Sequence, residues 1–280
     1  MARRKSRRRG PSTGGLILRY GSLAATLGMA VAGGGIALTR YSGQEKIGAD
    51  YCFARKDQPQ TAIFLDASVS DVDAAQRRDF KAALQRAWDQ AKPNTRLTVF
   101  STAKGDASSI GTPTAFFCHP PETVVEFATI GAPSPGGPRA AFLAGQAKSA
   151  WQETISAIVD YPADRAARQS PILEQIAAIS RNPDFTGPER SLVIVTDGLE
   201  NSELGHFGVV KGEMPEFAKF ADHERFRPYQ PNLSGVAVTM LLVEYPDGAL
   251  PYATNAELEA FWADYLTASG AANFTITPVR

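Results

Sequence analysis

Cysteine and histidine are scarce in this chain, which has two cysteines and three histidines in 280 residues. The sequence contains no CxxC pair, and His119 is the one histidine close to a cysteine. Metal sites made from thiolates and imidazoles need several such ligands at short spacing. The sequence therefore argues against a Cys/His metal site of the zinc type.

After the first 40 residues, acidic residues outnumber basic ones. The first 40 residues hold eight Lys and Arg and no acidic residue, whereas the whole chain has 29 charges of each sign. The remaining chain has 21 basic and 29 acidic residues, a net charge of about −8. Nucleic-acid-binding domains need a basic face for the phosphates, so we expect no nucleic-acid partner.

The N-terminus combines a basic run, "MARRKSRRRG", with nineteen uncharged residues at 20–38. A helix of that length just crosses a bilayer core at about 1.5 Å per residue. We predict a basic cytoplasmic tail over 1–14 and a transmembrane helix over 15–38, with the C-terminal domain periplasmic or extracellular. Such a protein would cross the inner or plasma membrane once. A cleaved signal peptide is the alternative, with "AVA" at 30–32 as its cleavage site.

The two cysteines are predicted to form a disulfide. Cys52 follows the apolar segment and Cys118 ends the run "TAFFC". Cysteines of exported domains usually pair, and this bridge would stabilise the fold by roughly 4 kcal/mol on a loop-entropy model. Two buried free thiols are the alternative.

The rest of the chain alternates between short apolar runs and segments of helical spacing. Residues 39–60 are polar and are interpreted as a linker, and residues 61–280 as one domain. Alternating strands and helices predict an α/β fold, a doubly wound and mostly parallel sheet with helices on both faces. We expect "TPTAFFC" to be an antiparallel edge strand, and 120–138 and 203–232 to be irregular surface segments.

Two of the predicted strands end in clusters of oxygen-bearing side chains. "IFLDASVS" supplies Asp66, Ser68 and Ser70, and "VIVTDGLEN" supplies Thr196 and Asp197. Ligands bind at the carboxyl ends of strands in open parallel sheets. Two close carboxylates repel each other unless a cation lies between them, and neither motif contains Lys, Arg or His. Oxygen donors alone favour Mg²⁺, with Mn²⁺ or Ca²⁺ as alternatives. Taken singly, Asp66 could instead cap a helix, and the serines could be turn residues.

Asp-x-Ser-x-Ser at the end of the first strand, followed later by a hydrophobic strand and Thr-Asp-Gly, resembles the von Willebrand factor type A (vWA) domain. That family carries a metal-ion-dependent adhesion site. Its third loop contributes a Thr ahead of an apolar helix, and "SPILEQI" at 170–176 offers Ser170 in that place. The resemblance implies a metal site made from Asp66, Ser68, Ser70, Ser170 and Asp197.

The resemblance implies a binding module rather than an enzyme. A membrane-tethered vWA domain would recognise a Glu or Asp carboxylate of a protein partner through the metal ion. One alternative is a Mg²⁺-dependent phosphohydrolase of the haloacid-dehalogenase type. However, Ser68 stands where that chemistry usually has a second acid, and no lysine lies in a recognisable motif. The other alternative is a vWA fold with a vestigial metal site and a structural role.

Overall fold

A computed structural model describes residues 50–53, 58–66, 73–102, 110–160, 169–207, 214–246, 248–250 and 252–280. The predicted tail at 1–14, the predicted membrane span at 15–38 and most of the predicted linker lie outside these ranges. Ser68 and Ser70 also lie outside them. Within the described ranges, no helix has both the length and the apolar character that crossing a bilayer requires.

Six strands form one mixed sheet, in the order β3-β2-β1-β4-β5-β6. Every neighbouring pair is parallel except β2 and β3, so β3 is an antiparallel edge strand as the sequence predicted. The strands are β1 Gln60–Leu65, β2 Arg96–Ser101, β3 Pro113–Cys118, β4 Arg190–Thr196, β5 Val236–Val243 and β6 Asn273–Val279.

Helices connect the parallel strands, and local signals mark their ends. They are α1 Ala74–Asp89, α2 Val124–Thr129, α3 Gly137–Val159, α4 Ile172–Ser180, α5 Phe217–Ala221 and α6 Asn255–Ala268, with a 3₁₀ turn at Arg227–Tyr229. Helix α1 shows how the sequence specifies them. Asp73 and Gln76 form a capping box at its start, and Phe80, Leu84 and Trp88, which are four positions apart, make its buried stripe.

The sheet has a hydrophobic core on each face, because successive side chains of a strand point to opposite sides. Ile63 and Leu65 of β1 pack in the core covered by α1 and α3. Ala62 and Phe64 pack in the core covered by α4 and α6. The mixed α/β fold with a mostly parallel sheet and helices on both faces is therefore confirmed.

The segment that precedes β1 is fastened to the edge of the sheet. Cys52 and Cys118 form a disulfide with a Cα–Cα distance of 4.7 Å, and the backbone N–H of Cys118 donates to the carbonyl of Asp50. Phe53 is buried and meets the ring of Phe127 edge-on at 5.6 Å. The described residues at the end of the predicted linker thus pack against the domain.

Two segments that were expected to be irregular contain helices. Helix α2 lies within 120–138, where Thr123 and Glu126 form a capping box. Helix α5 lies within 203–232, and its Phe220 packs against Phe207 and Phe226. Both helices are too short for a hydrophobic repeat to be visible in the sequence, and tertiary packing stabilises them instead.

Candidate metal centre

The two polar strand ends are neighbours in space. Strands β1 and β4 pair in parallel with Leu65 opposite Val195, and the backbone N–H of Asp66 extends the ladder by donating to the carbonyl of Val195. The chain winds outward from this pair in both directions, β2 and β3 lying on one side and β5 and β6 on the other. Asp66 and Asp197 thus lie at the position where strand order reverses, the usual ligand position in such sheets.

The Asp66 carboxylate is buried under three hydroxyl groups, with 5% of the residue exposed. Its Oδ1 accepts a hydrogen bond from Thr102 Oγ1 at 3.0 Å. Its Oδ2 accepts from Ser170 Oγ at 2.9 Å and from Thr196 Oγ1 at 2.8 Å. Three segments that are distant in sequence therefore converge on one carboxylate.

The Asp197 carboxylate is equally buried and is held by different donors. Its Oδ1 accepts from the backbone N–H of Leu199 at 2.9 Å, and its Oδ2 accepts from the Tyr245 hydroxyl at 2.8 Å. Burial, together with the nearby charge of Asp66, raises the pKa of Asp197 to about 7. These two hydrogen bonds oppose the rise but do not cancel it. Burial and a like charge therefore both disfavour the ionised form of Asp197.

Gly198 turns the chain directly after Asp197. Its φ of +75° lies in the left-handed region, and a Cβ atom there would lie 2.7 Å from Trp262 Nε1 and 2.8 Å from Leu242 Cδ1. The Gly198 carbonyl accepts from Trp262 Nε1 at 3.1 Å, and its N–H donates to Thr196 Oγ1 at 3.0 Å. Only glycine combines this backbone angle with this close approach, which explains the Asp-Gly pair in physical terms.

Ser170 is positioned by a short antiparallel bridge to the loop that follows Asp197. The Ser170 N–H donates to the Asn201 carbonyl at 2.8 Å, and the Asn201 N–H donates to the Ser170 carbonyl at 3.0 Å. Helix α4 begins two residues later. Ser170, which the resemblance to the vWA domain implied as a ligand, therefore lies beside Asp66, with 2% of its surface exposed.

Of the five predicted ligands, the structure brings together Asp66, Ser170 and Asp197. Thr102 and Tyr245 also contact the two carboxylates and were not among the predicted ligands. A signal for Thr102 was present, because "FST" ends the strand beside β1 with two hydroxyl residues in succession. Tyr245 follows β5, and its aromatic character gave no indication of a polar role.

The chemistry of these donors fits a hard cation. Two carboxylates and the hydroxyls of Thr102, Ser170 and Thr196 provide oxygen alone, the donor that Mg²⁺ prefers. Burial and the charge of Asp66 raise the pKa of Asp197, and a divalent ion would compensate the charge that opposes its ionisation. Within the described part of the chain, no group of three or more His, Cys, Asp or Glu could hold a metal ion. A site here would thus depend on hydroxyl ligands.

Comparison with known proteins leaves the family of the chain open. No protein-family model and no curated protein matches it. Among solved structures, proximal thread matrix protein 1 from the mussel byssus is similar with a TM-score of 0.35 and 13% sequence identity. The match covers 80% of this chain and 42% of that protein. The chain therefore spans less than half the length of that protein, and a likeness this weak carries no argument about function.

Proposed function

We propose that this protein is a vWA-type binding module that recognises an acidic residue of a protein partner through a divalent metal ion. The observation that carries the proposal is the convergence of Asp66, Asp197 and Ser170 at the strand-order reversal. Three separate loops meet there, around two buried carboxylates of which Asp66 raises the pKa of Asp197 by its charge. Two buried carboxylates destabilise the folded protein, and a bound cation would offset that destabilisation.

The proposed ligand set joins these described residues to Ser68 and Ser70, which stand two and four positions after Asp66 in the chain. Asp66 and Asp197 supply charge, and the serines supply neutral oxygen donors. When bound, Mg²⁺ or its substitutes Mn²⁺ and Ca²⁺ would act as a Lewis acid for an outside carboxylate. Because few protein carboxylates take part, the centre would retain positive charge and attract a Glu or Asp from the partner.

The setting that we propose is the cell envelope. The Cys52–Cys118 disulfide is typical of proteins in oxidising compartments, which agrees with export of the domain. The basic run and the uncharged segment at 20–38 would anchor the chain in the inner or plasma membrane, with the N-terminus in the cytoplasm.

Titration calorimetry of the purified protein with Mg²⁺ and Mn²⁺ tests the metal centre. We expect binding by the wild type, loss of binding in Asp66→Ala and Asp197→Asn, and unchanged binding in Asp264→Asn. Asp264 is an exposed aspartate on α6 and serves as a matched control. The absence of heat and of a thermal shift in the wild type would instead favour a structural role with a vestigial site.

A crosslinking pull-down from native membranes, with and without chelator, tests the binding role. We expect the wild type to capture a partner that chelator releases and that Asp66→Ala does not capture. The enzymatic alternative predicts turnover of a generic phosphatase substrate with Mg²⁺, abolished in Asp66→Asn. That result would replace the binding module with a phosphohydrolase.

A further inference from the structure

A second pair of carboxyl groups, Glu174 and Glu200, is buried beside the candidate metal centre. Glu200 follows Asp197 by three positions, and Glu174 lies in the first turn of α4, four positions after Ser170. Glu200 is 0% exposed and Glu174 is 8% exposed. Buried carboxyls are uncommon unless they are paired or hydrogen-bonded, so this pair requires a physical explanation.

Glu200 caps the helix that follows Ser170. Helix α4 has Pro171 at its N-cap position and receives no capping hydrogen bond from that residue. Instead, Glu200 Oε2 accepts from the backbone N–H of Leu173 at 2.9 Å. One of the free N–H groups at the start of α4 is thus satisfied by a side chain from the Asp197 loop. Glu200 and the Ser170–Asn201 bridge together join the two loops of the candidate centre.

The pair formed by Glu174 and Glu200 is short of hydrogen-bond donors. The charge of Glu174 acts on Glu200, and two ionised carboxylates offer each other only acceptors. Within the described residues, Glu200 Oε1 and Glu174 Oε2 find no donor. A proton carried by Glu200 would supply a donor to this pair.

The surroundings favour retention of that proton. Burial and then the charge of Glu174 raise the pKa of Glu200 well above its ordinary value, whereas hydrogen bonds from Ser202 and Leu173 lower it. Tyr265 of α6 faces the same two carboxyls, and burial and these charges raise the pKa of its hydroxyl too. Arg181, after the last turn of α4, is the cation that acts on Tyr265.

We propose that Glu200 is a positioning residue for the metal centre, which holds Ser170 beside Asp66 while it shares one proton with Glu174. Loss of the proton would make two buried carboxylates repel each other, and the Asp197 loop would loosen from the start of α4. The consequence for metal binding rests on the proposed function, whereas the shared proton and the helix cap do not.

Urea unfolding of the chelator-treated protein between pH 4.5 and pH 8 tests the shared proton. A folded state that binds one extra proton is destabilised as pH rises, and the unfolding equilibrium constant increases about tenfold per pH unit between the unfolded and the folded pKa. Asp197 gives a dependence of the same sign, so the informative quantity is the difference between wild type and variant. We expect the Glu200→Gln variant to take up one proton fewer on folding than the wild type, so that its stability falls less steeply with rising pH. Glu203 is an exposed neighbour, and Glu203→Gln should leave the pH dependence unchanged.

The glutamine variant also distinguishes positioning from simple burial. Its side-chain oxygen can accept from Leu173, and its amide can donate to Glu174 at every pH. We therefore expect Glu200→Gln to bind Mg²⁺ within about threefold of the wild type, and Glu200→Ala to lose about tenfold or more, as supporting residues of metal sites do. Hydrogen exchange of the Leu173 N–H should be fast in Glu200→Ala and slow in Glu200→Gln.

The two proposals fail in different ways. If the wild type binds no Mg²⁺, the proposed function is wrong, and the unfolding and exchange measurements still decide on the proton-sharing cap. An unchanged pH dependence in Glu200→Gln overturns the shared proton. Mg²⁺ binding that Ser170→Ala weakens but Glu200→Ala does not overturns the positioning role. If Glu200→Ala does not fold, the glutamine variant and Glu174→Gln carry the test.

Discussion

Ser170 and Asp66 are 104 positions apart in the chain, yet Ser170 Oγ donates a 2.9 Å hydrogen bond to Asp66 Oδ2. The contact joins the loop before α4 to the end of β1. A hydroxyl that reaches a buried carboxylate over such a separation specifies the relative position of the two segments. It also brings a third loop to the pair formed by Asp66 and Asp197.

Ser170→Ala should destabilise the protein by about 1.5–3 kcal/mol, because a buried carboxylate loses one of its donors. Ser170→Thr keeps the hydroxyl and should recover most of this loss. Urea unfolding in the presence of chelator gives the free energies. Ser149→Ala, at an exposed position of α3, should remain within about 0.5 kcal/mol of the wild type. A Ser170→Ala protein as stable as this control would contradict the expectation.

Metal affinity should rise with pH and level off above about pH 7. The pKa of Asp197 is raised to about 7 in the metal-free protein, and a cation binds the ionised form, so binding must displace a proton below that pH. Calorimetry at pH 6 in buffers of different ionisation enthalpy should report the release of close to one proton per Mg²⁺. Affinity that is independent of pH between 5 and 7 would show that Asp197 is not a ligand.

In the metal-free protein, the raised pKa of Asp197 makes the folded state less stable as the pH rises. Because the folded-state pKa of Asp197 is raised, its contribution to stability is fully present below its ordinary pKa of 3.8 and is lost as pH rises through about 7. Asp197→Asn should remove this part of the pH dependence in chelator-treated protein. Added Mg²⁺ should restore stability to the wild type at pH 8 and have no effect on the variant.

Tyr245→Phe should move the pH midpoint of metal binding upward. The Tyr245 hydroxyl donates to Asp197 Oδ2 at 2.8 Å, and this hydrogen bond lowers the pKa of Asp197 by favouring the charged form. Its removal should raise that pKa further above 7 in the metal-free protein. Calorimetry over a pH series measures the midpoint, with Tyr229→Phe at an exposed position as the control. A midpoint that stays in place would exclude this role of Tyr245.

Gly198→Ala should be among the most damaging small substitutions in the domain. A φ of +75° disfavours alanine by about 1–2 kcal/mol, and the new methyl group would overlap Trp262 and Leu242. Gly145→Ala provides the contrast, because Gly145 lies in α3 with nothing within 4 Å of the added Cβ. That substitution should stabilise the helix by about 0.5–1 kcal/mol. Thermal unfolding of the two variants side by side makes the comparison.

The strands and long helices could be predicted from sequence because their signals are local. The apolar run in "SLVIVTDG" lies in β4, and the spacing of Phe80, Leu84 and Trp88 marks α1. Helices α2 and α5 could not be predicted, because six and five residues are too few to show a period. Their stability comes from contacts made only after the chain has folded.

The candidate site was predictable in part for the same reason. Asp66 and Asp197 follow strong strands, and topology places parallel strand ends together. Glu200 gave no such signal. Its role depends on a hydrogen bond to Leu173 and a carboxyl contact with Glu174, and both arise from the approach of α4 to the Asp197 loop. Sequence spacing contains no information about that approach.

The disulfide has a mechanical consequence. Cys118 lies opposite Arg96, the first residue of β2. Cys52 is therefore bonded to the end of the sheet that is opposite to Asp66 and Asp197. Tension applied through the chain before Asp50 would pass across a covalent bond into β3 before it reached the start of β1 at Gln60. Strand β3 would bear the load, and β1, which ends at the buried carboxylates, would not be pulled out of the sheet.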